Sequence, residues 1–304
     1  MSITTLGIVW NPSKVDGDTI RAAVADTFEV EAQWWETTPE DPGRGMAEEA
    51  IAAGCDVVIA VGGDGTVRAV AEALAGTEVA LGIVPQGTGN LLARNLGVPL
   101  AGIPAALVRV RDAEPRRIDL GWVEYAGERR AFAVMVGFGI DAQMLVETDD
   151  DLKSKAGWLA YVEAMGRALA GTEMTDISVS FDGGEPQEVR GHTMLIGNCG
   201  MLQGGIRLLP DAVLDDGQLD LLLISADGAL QWLDTVRSVV WDNGIRRLLG
   251  GGTEAVSTDS AQHVAAERIS VTLESPQQFE IDGEEVGEVS SFIASVQPGA
   301  IIVR

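Results

Sequence analysis

Residues 56–66 read DVVIAVGGDGT. After Asp56 comes a run of five apolar residues, Val57 to Val61, which suits one buried strand and is too short for a free-standing helix. Gly62 and Gly63 break the run, and helical spacing resumes over 66–74. The flanks repeat this unit. Residues 5–10 (TLGIVW) form a short apolar strand that ends at Asn11-Pro12, and 28–35 alternate Phe28, Val30, Ala32 and Trp34 on one side. An Ala/Glu-rich stretch follows Pro42 through Ala53. Downstream, strand 79–84 runs into Pro85-Gln86-Gly87-Thr88-Gly89-Asn90 and a helix over 91–96. Such alternation predicts an α/β domain with a parallel sheet, placed at residues 1–118.

From about Ile118 the texture changes to shorter apolar runs at 118–125, 131–136, 177–181, 193–196, 219–224, 269–273 and 279–281. Asp182-Gly183-Gly184 and Asp282-Gly283 punctuate them as turns. Residues 119–304 therefore read as a β-rich second domain, a sandwich or open barrel, with helical inserts at 157–170 and 229–240. Two domains agree with a chain of 304 residues.

The glycine stretches carry chemistry. In Gly62-Gly63-Asp64-Gly65-Thr66 the glycines let backbone amides approach a phosphate, and Thr66 is suited to cap the helix or donate to a phosphate oxygen. Asp64 would repel that phosphate unless it holds a cation, which points to Mg²⁺; the plainer reading is a strand-to-helix turn with local caps. The second loop repeats the design and Asn11 adds a third polar group, so three strand ends could converge on one nucleotide. GxxxxGK[ST] does not occur, which excludes a Walker-type ATPase. Gly137-Phe138-Gly139-Ile140-Asp141-Ala142 satisfies GxGxxA but lacks the βαβ surroundings of a dinucleotide fingerprint.

Composition narrows the partners. With 21 basic and 46 acidic residues the net charge is −25, which disfavours nucleic acid and docking on anionic lipid through a basic patch. Cys55 and Cys199 lie outside any metal or disulfide spacing. The apolar runs are too short to span a bilayer and no leader follows Met1, so the expectation is a cytoplasmic protein. The stripe at 157–170 reads as core packing first and as acyl-chain or membrane contact second.

These motifs together resemble the diacylglycerol kinase catalytic family of lipid kinases, related to sphingosine and ceramide kinases. GGDGT, PQGTGN and Asn11-Pro12 carry the likeness first. The stretch 136–142, Pro210-Asp211-Ala212, the stretch 215–220 and Ile281-Asp282-Gly283-Glu284 continue it in order along nearly the whole chain. GGDGT alone also suits NAD kinases and phosphofructokinases.

The resemblance implies ATP and substrate meeting in a cleft between the two domains. Asn11, Gly62, Gly63, Gly65, Thr66, Gly87, Thr88 and Asn90 would belong to the nucleotide site, Asp64 would hold catalytic Mg²⁺, and Glu284 would take the proton of the lipid hydroxyl. A structural Mg²⁺ is implied at the Asp216 side chain with the Val213 and Gln218 carbonyls; an ordinary turn is the plainer alternative. Many family members carry Asp where this chain has Leu91, within an acidic metal network that Asp119 resembles another member of. The expected activity is transfer of the ATP γ-phosphate to a lipid, diacylglycerol first and a sphingoid lipid second. Transient contact with the inner membrane surface is expected, with a homodimer left open. NAD kinase and a catalytically silent nucleotide-binding regulator are the alternatives.

Overall fold

Strands β1 (Leu6–Trp10), β3 (Val57–Gly62) and β4 (Ala80–Pro85) are buried at every position. That is why they read as unbroken apolar runs: a parallel sheet covered by helices on both faces leaves no position for a polar alternation. With β2 (Ala32–Glu36) they lie in the order β2-β1-β3-β4, all parallel. In the computed structural model, the structure describes residues 3–139, 174–202, 208–209, 211–225 and 261–304. The helices expected at 157–170 and 229–240, and Ile140, Asp141 and Ala142, lie outside the described residues.

Five helices flank the first sheet among the described residues: α1 (Gly17–Thr27), α2 (Arg44–Ala52), α3 (Asp64–Leu74), α4 (Leu91–Asn95) and α5 (Ile103–Asp112). α1 starts where the Asp16 carboxylate accepts the Thr19 amide at 3.0 Å. α5 packs on β4 and α1. It approaches so closely that a Cβ on Gly82 would come within 2.8 Å of Val110. Neither α1 nor α5 is marked in the sequence by a strong apolar stripe; α1 buries only Ile20 and Val24.

The second half is antiparallel. Strands β5 (Arg116–Tyr125), β6 (Glu128–Phe132), β7 (Met135–Phe138), β8 (Thr175–Phe181), β9 (Gln187–Gly191), β10 (Thr193–Gly197), β11 (Leu219–Ile224), β12 (Ala261–Ala266), β13 (Arg268–Ile281) and β14 (Glu284–Val303) follow in chain order. Alternating buried and exposed positions along β13 show a sheet with one covered face. Phe132, Phe138, Phe279 and Phe292 lie in the core beneath it. This is the β-sandwich-like half expected from the sequence.

Two runs divide differently from their sequence pattern. The 131–136 run splits into β6 and β7 with a break at Ala133-Val134, while 269–273 and 279–281 are one strand with irregular pairing between Thr272 and Gln277. The long β14 pairs antiparallel with β13 and β5, and at its end runs parallel to β4 through Ile302↔Ala80 and Val303↔Leu81. Both halves therefore belong to one hydrogen-bonded sheet, and residue 118 falls inside β5, which pairs with that same end of β14.

Candidate active site

The parallel strands end at the polar loops. Val61 accepts the Asn11 amide at 2.9 Å and Gly62 accepts the Gln86 amide at 2.8 Å, so the ends of β1, β3 and β4 are stitched side by side. Gly63 and Gly87 then meet backbone to backbone: a Cβ on Gly87 would lie 2.6 Å from the Gly63 Cα. These glycines are needed for the loops to pack against each other, besides any ligand.

Asp64 ties the two loops together. Its Oδ2 accepts the Asn90 amide at 2.8 Å and its Oδ1 the Leu91 amide at 2.6 Å, at the start of α4. Burial pushes its carboxyl above the ordinary value, opposed by those two amides and by Arg94. Asn90 has a left-handed backbone (φ 48°), and its side-chain amide is engaged with Gly87: Oδ1 accepts the Gly87 amide at 2.8 Å and Nδ2 donates to the Gly87 carbonyl at 2.7 Å. Asn90 thus shapes the loop. Thr66 is buried against Gly62, and Asn11 accepts from the Ser13 amide and hydroxyl.

A cleft of about 590 Å³ opens over these loops, within the range of small-molecule sites. Asn11, Gly63, Asp64, Gly65, Thr66, Gly87 and Thr88 line it on one side, and Asp282, Gly283 and Glu284 on the other. Gly62 and Asn90 stand behind this lining. Lys14, three residues after Asn11, also reaches the cleft; its sole signal in the sequence is a cation on the same strand-end loop.

The opposite wall is built from charge. Asp282, at φ 49°, buries its carboxylate among the amides of Ala133, Val134 and Met135, which donate at 2.8, 2.9 and 2.9 Å. This is the reason β6 and β7 separate where they do. Burial raises the Asp282 carboxyl, against the pull of Arg68 and the three amides. Arg68 of α3 donates to the Ile281 carbonyl at 2.8 Å and to Glu284 Oε2. Arg130 approaches the same Oε2 at 4.0 Å.

Asp119 lies elsewhere. Its Oδ2 accepts the Gly217 amide and its Oδ1 the Gly299 amide, both at 2.7 Å, so it lines a second hollow with Asp216 and Gln218 and does not stand beside Asp64. Asp216 Oδ1 accepts the Gln218 amide at 3.0 Å, and Val213 precedes this turn. Asp216 is raised by burial and by Asp119; Asp220 is pushed up to about 6 by burial and by Asp216 and Asp211.

Among the described residues no group of three or more His, Cys, Asp or Glu side chains is placed to hold a metal. Mg²⁺ commonly binds through one or two carboxylates and keeps water or phosphate oxygens for the rest. Asp64, the carboxylate on the loop side of the cleft, fits a cation carried in with a nucleotide, and the acids around Asp216, where burial and like charge raise both Asp216 and Asp220, fit a hard cation that would offset them.

Residues 8–123 match the diacylglycerol kinase catalytic domain, and residues 134–304 match the YegS C-terminal NAD kinase beta sandwich-like domain. The chain is 34% identical to a probable lipid kinase YegS-like protein of Pseudomonas aeruginosa (strain UCBPP-PA14), covering 98% of this chain and 93% of that one. It is 31% identical to its counterpart in Stenotrophomonas maltophilia (strain K279a), covering 97% and 94%. In fold it is similar to a diacylglycerol kinase from Bacillus anthracis str. Sterne, with a TM-score of 0.69 at 22% identity over 99% of this chain and 96% of that one.

Proposed function

Because the chain belongs to the diacylglycerol kinase catalytic-domain family, we propose that it transfers the γ-phosphate of ATP to a lipid hydroxyl, with diacylglycerol as acceptor and phosphatidic acid as product. The observation that carries this reading is one cleft lined by both Asp64 and Glu284, from opposite ends of the chain. The amides at Gly63, Gly65 and Gly87 and the α3 N-terminus would take the phosphates, as helix starts favour anions. Lys14 would add positive charge beside them. Mg²⁺ held at Asp64 would neutralise the phosphate oxygens, and a second Mg²⁺ at Asp216 with the Val213 and Gln218 carbonyls would stiffen the turn there.

Glu284 would accept the hydroxyl proton as the lipid oxygen bonds to the γ-phosphorus and the bond to ADP breaks. Phosphoryl transfer asks mainly for positioning and charge neutralisation, which these groups are arranged to give. No helix among the described residues is long and apolar enough to cross a membrane. Catalysis at the inner membrane surface would then rest on transient apolar contact, since a net charge of −25 opposes anionic lipid.

The test is labelled-phosphate transfer from Mg²⁺-ATP to vesicles of diacylglycerol, to vesicles of sphingosine, and to NAD. Labelled phosphatidic acid is expected. NADP in its place would return the NAD kinase reading, and ATP binding without turnover over the panel would return the silent regulator.

A further inference from the structure

Helix α3 carries Asp64, Arg68 and Glu72 at four-residue spacing, which puts them along one face. All three reach out of the helix: Asp64 to the amides that start α4, Arg68 to the 281–284 turn, and Glu72 to the Ala131 amide at 3.1 Å and Arg44 at 2.8 Å. Arg68 is the unusual member. Its side chain is 4% exposed, and a guanidinium taken out of water is costly unless fully engaged. Here one nitrogen holds the Ile281 carbonyl, another holds Glu284, and the charge opposes that of buried Asp282.

Glu284 by contrast is 54% exposed, and a free Glu side chain would sample many rotamers. Arg68 holds Oε2 and Arg130 stands 4.0 Å from the same oxygen, so the partners gather on Oε2 and leave Oε1 as the oxygen to receive a proton. We propose that Arg68 is a positioning residue for the acceptor base. α3 then acts as a strut of set length: one turn, about 6 Å of helix rise, separates the residue at the phosphate loops from the residue that orients Glu284. This rests on the reading of Glu284 as the base.

The test compares Arg68→Gln, Arg68→Lys, Glu284→Gln and the Arg68→Gln/Glu284→Gln double variant, using diacylglycerol vesicles as acceptor and measuring kcat, the KM for ATP, ATP binding and Tm. A misaimed base should lower kcat roughly 10- to 100-fold in Arg68→Gln, with the KM for ATP nearly unchanged. Arg68→Lys should recover part of kcat, since an ammonium keeps the charge but not the fork. Adding Arg68→Gln to Glu284→Gln should lower kcat no further, as expected when one residue acts through another.

An unchanged or raised kcat in Arg68→Gln, or an equal further drop in the double variant, overturns the positioning role. A near-normal kcat in Glu284→Gln overturns the base reading itself, which the Arg68 single variants distinguish. Should Arg68→Gln fail to fold, a wild-type kcat in Arg68→Lys would overturn the proposal and a lowered kcat at unchanged KM and Tm would support it.

Discussion

On one wall of the cleft Gly63 and Gly87 touch backbone to backbone, and Asp64 caps the second loop; on the other, three amides, two arginines and two carboxylates hold the turn at 282–284. The first wall is a matter of shape and fails by intrusion. The second is a matter of charge and fails by loss of a partner. A ligand between them meets fixed amides on one side and an oriented carboxylate on the other, so binding and chemistry should separate by wall.

The strongest break of that division is Glu284→Gln, which keeps the shape of the charged wall. It should reduce lipid phosphorylation by roughly 10²–10⁴-fold, the usual worth of a positioned base, with ATP affinity nearly unchanged and Tm lowered, because buried Arg68 loses its charged partner. A loss of ATP binding would move Glu284 to the nucleotide side. Next comes Gly87→Ala. Its Cβ would strike the Gly63 backbone, where no side chain can swing away, and overpacking of that kind typically costs about 1–3 kcal/mol. Urea unfolding should show the loss; an unchanged midpoint would mean the loops separate freely.

Asp64→Asn tests whether the glycine wall also depends on charge. The sequence offers Asp64 to a cation or to a local cap of its own turn, but the structure has it accept two backbone amides of the next loop, one of which an Asn nitrogen cannot serve. A stability loss of about 1–3 kcal/mol is expected from that orphaned donor, together with weaker Mg²⁺ dependence of turnover. Thermal unfolding and an Mg²⁺ titration separate the two, and unchanged behaviour in both would remove Asp64 from the site. The mildest change is Gly65→Ala, where a Cβ meets nothing within 4 Å. Tm should hold or rise slightly, since Ala suits a helix better than Gly by about 0.5–1 kcal/mol, while the KM for ATP rises. An unaltered KM would argue that no phosphate rests there.

The glycine wall was legible in sequence because its pieces are local: strand, glycines and helix start lie within eleven residues, and each buried strand is an unbroken apolar run. The charged wall was not. Asp282 finds its amides 147 to 149 residues away and Arg68 finds Glu284 at a separation of 216, distances at which no periodicity speaks. Glu284 is indicated by family likeness, and in the sequence Arg68 is one more residue of a helix. β14 escaped for another reason: its apolar positions change faces along twenty residues interrupted by Gly287, Pro298 and Gly299, so no single alternation runs through it. Asp119 shows that a residue's neighbours in space, here Gly217 and Gly299, are not implied by its place beside an apolar strand.

The pairing of Ile302 and Val303 with Ala80 and Leu81 also sets an order in time. During synthesis β4 leaves the ribosome more than two hundred residues before the strand that completes its edge, a wait of roughly 10–45 s at 5–20 residues per second. Through that interval the nascent nucleotide-binding half carries an open sheet edge of apolar residues, the kind of surface that recruits chaperones or mispairs with another chain. Newly made protein should therefore be most prone to aggregation just before its last strand emerges, and slowing translation late in the message should prolong that exposure.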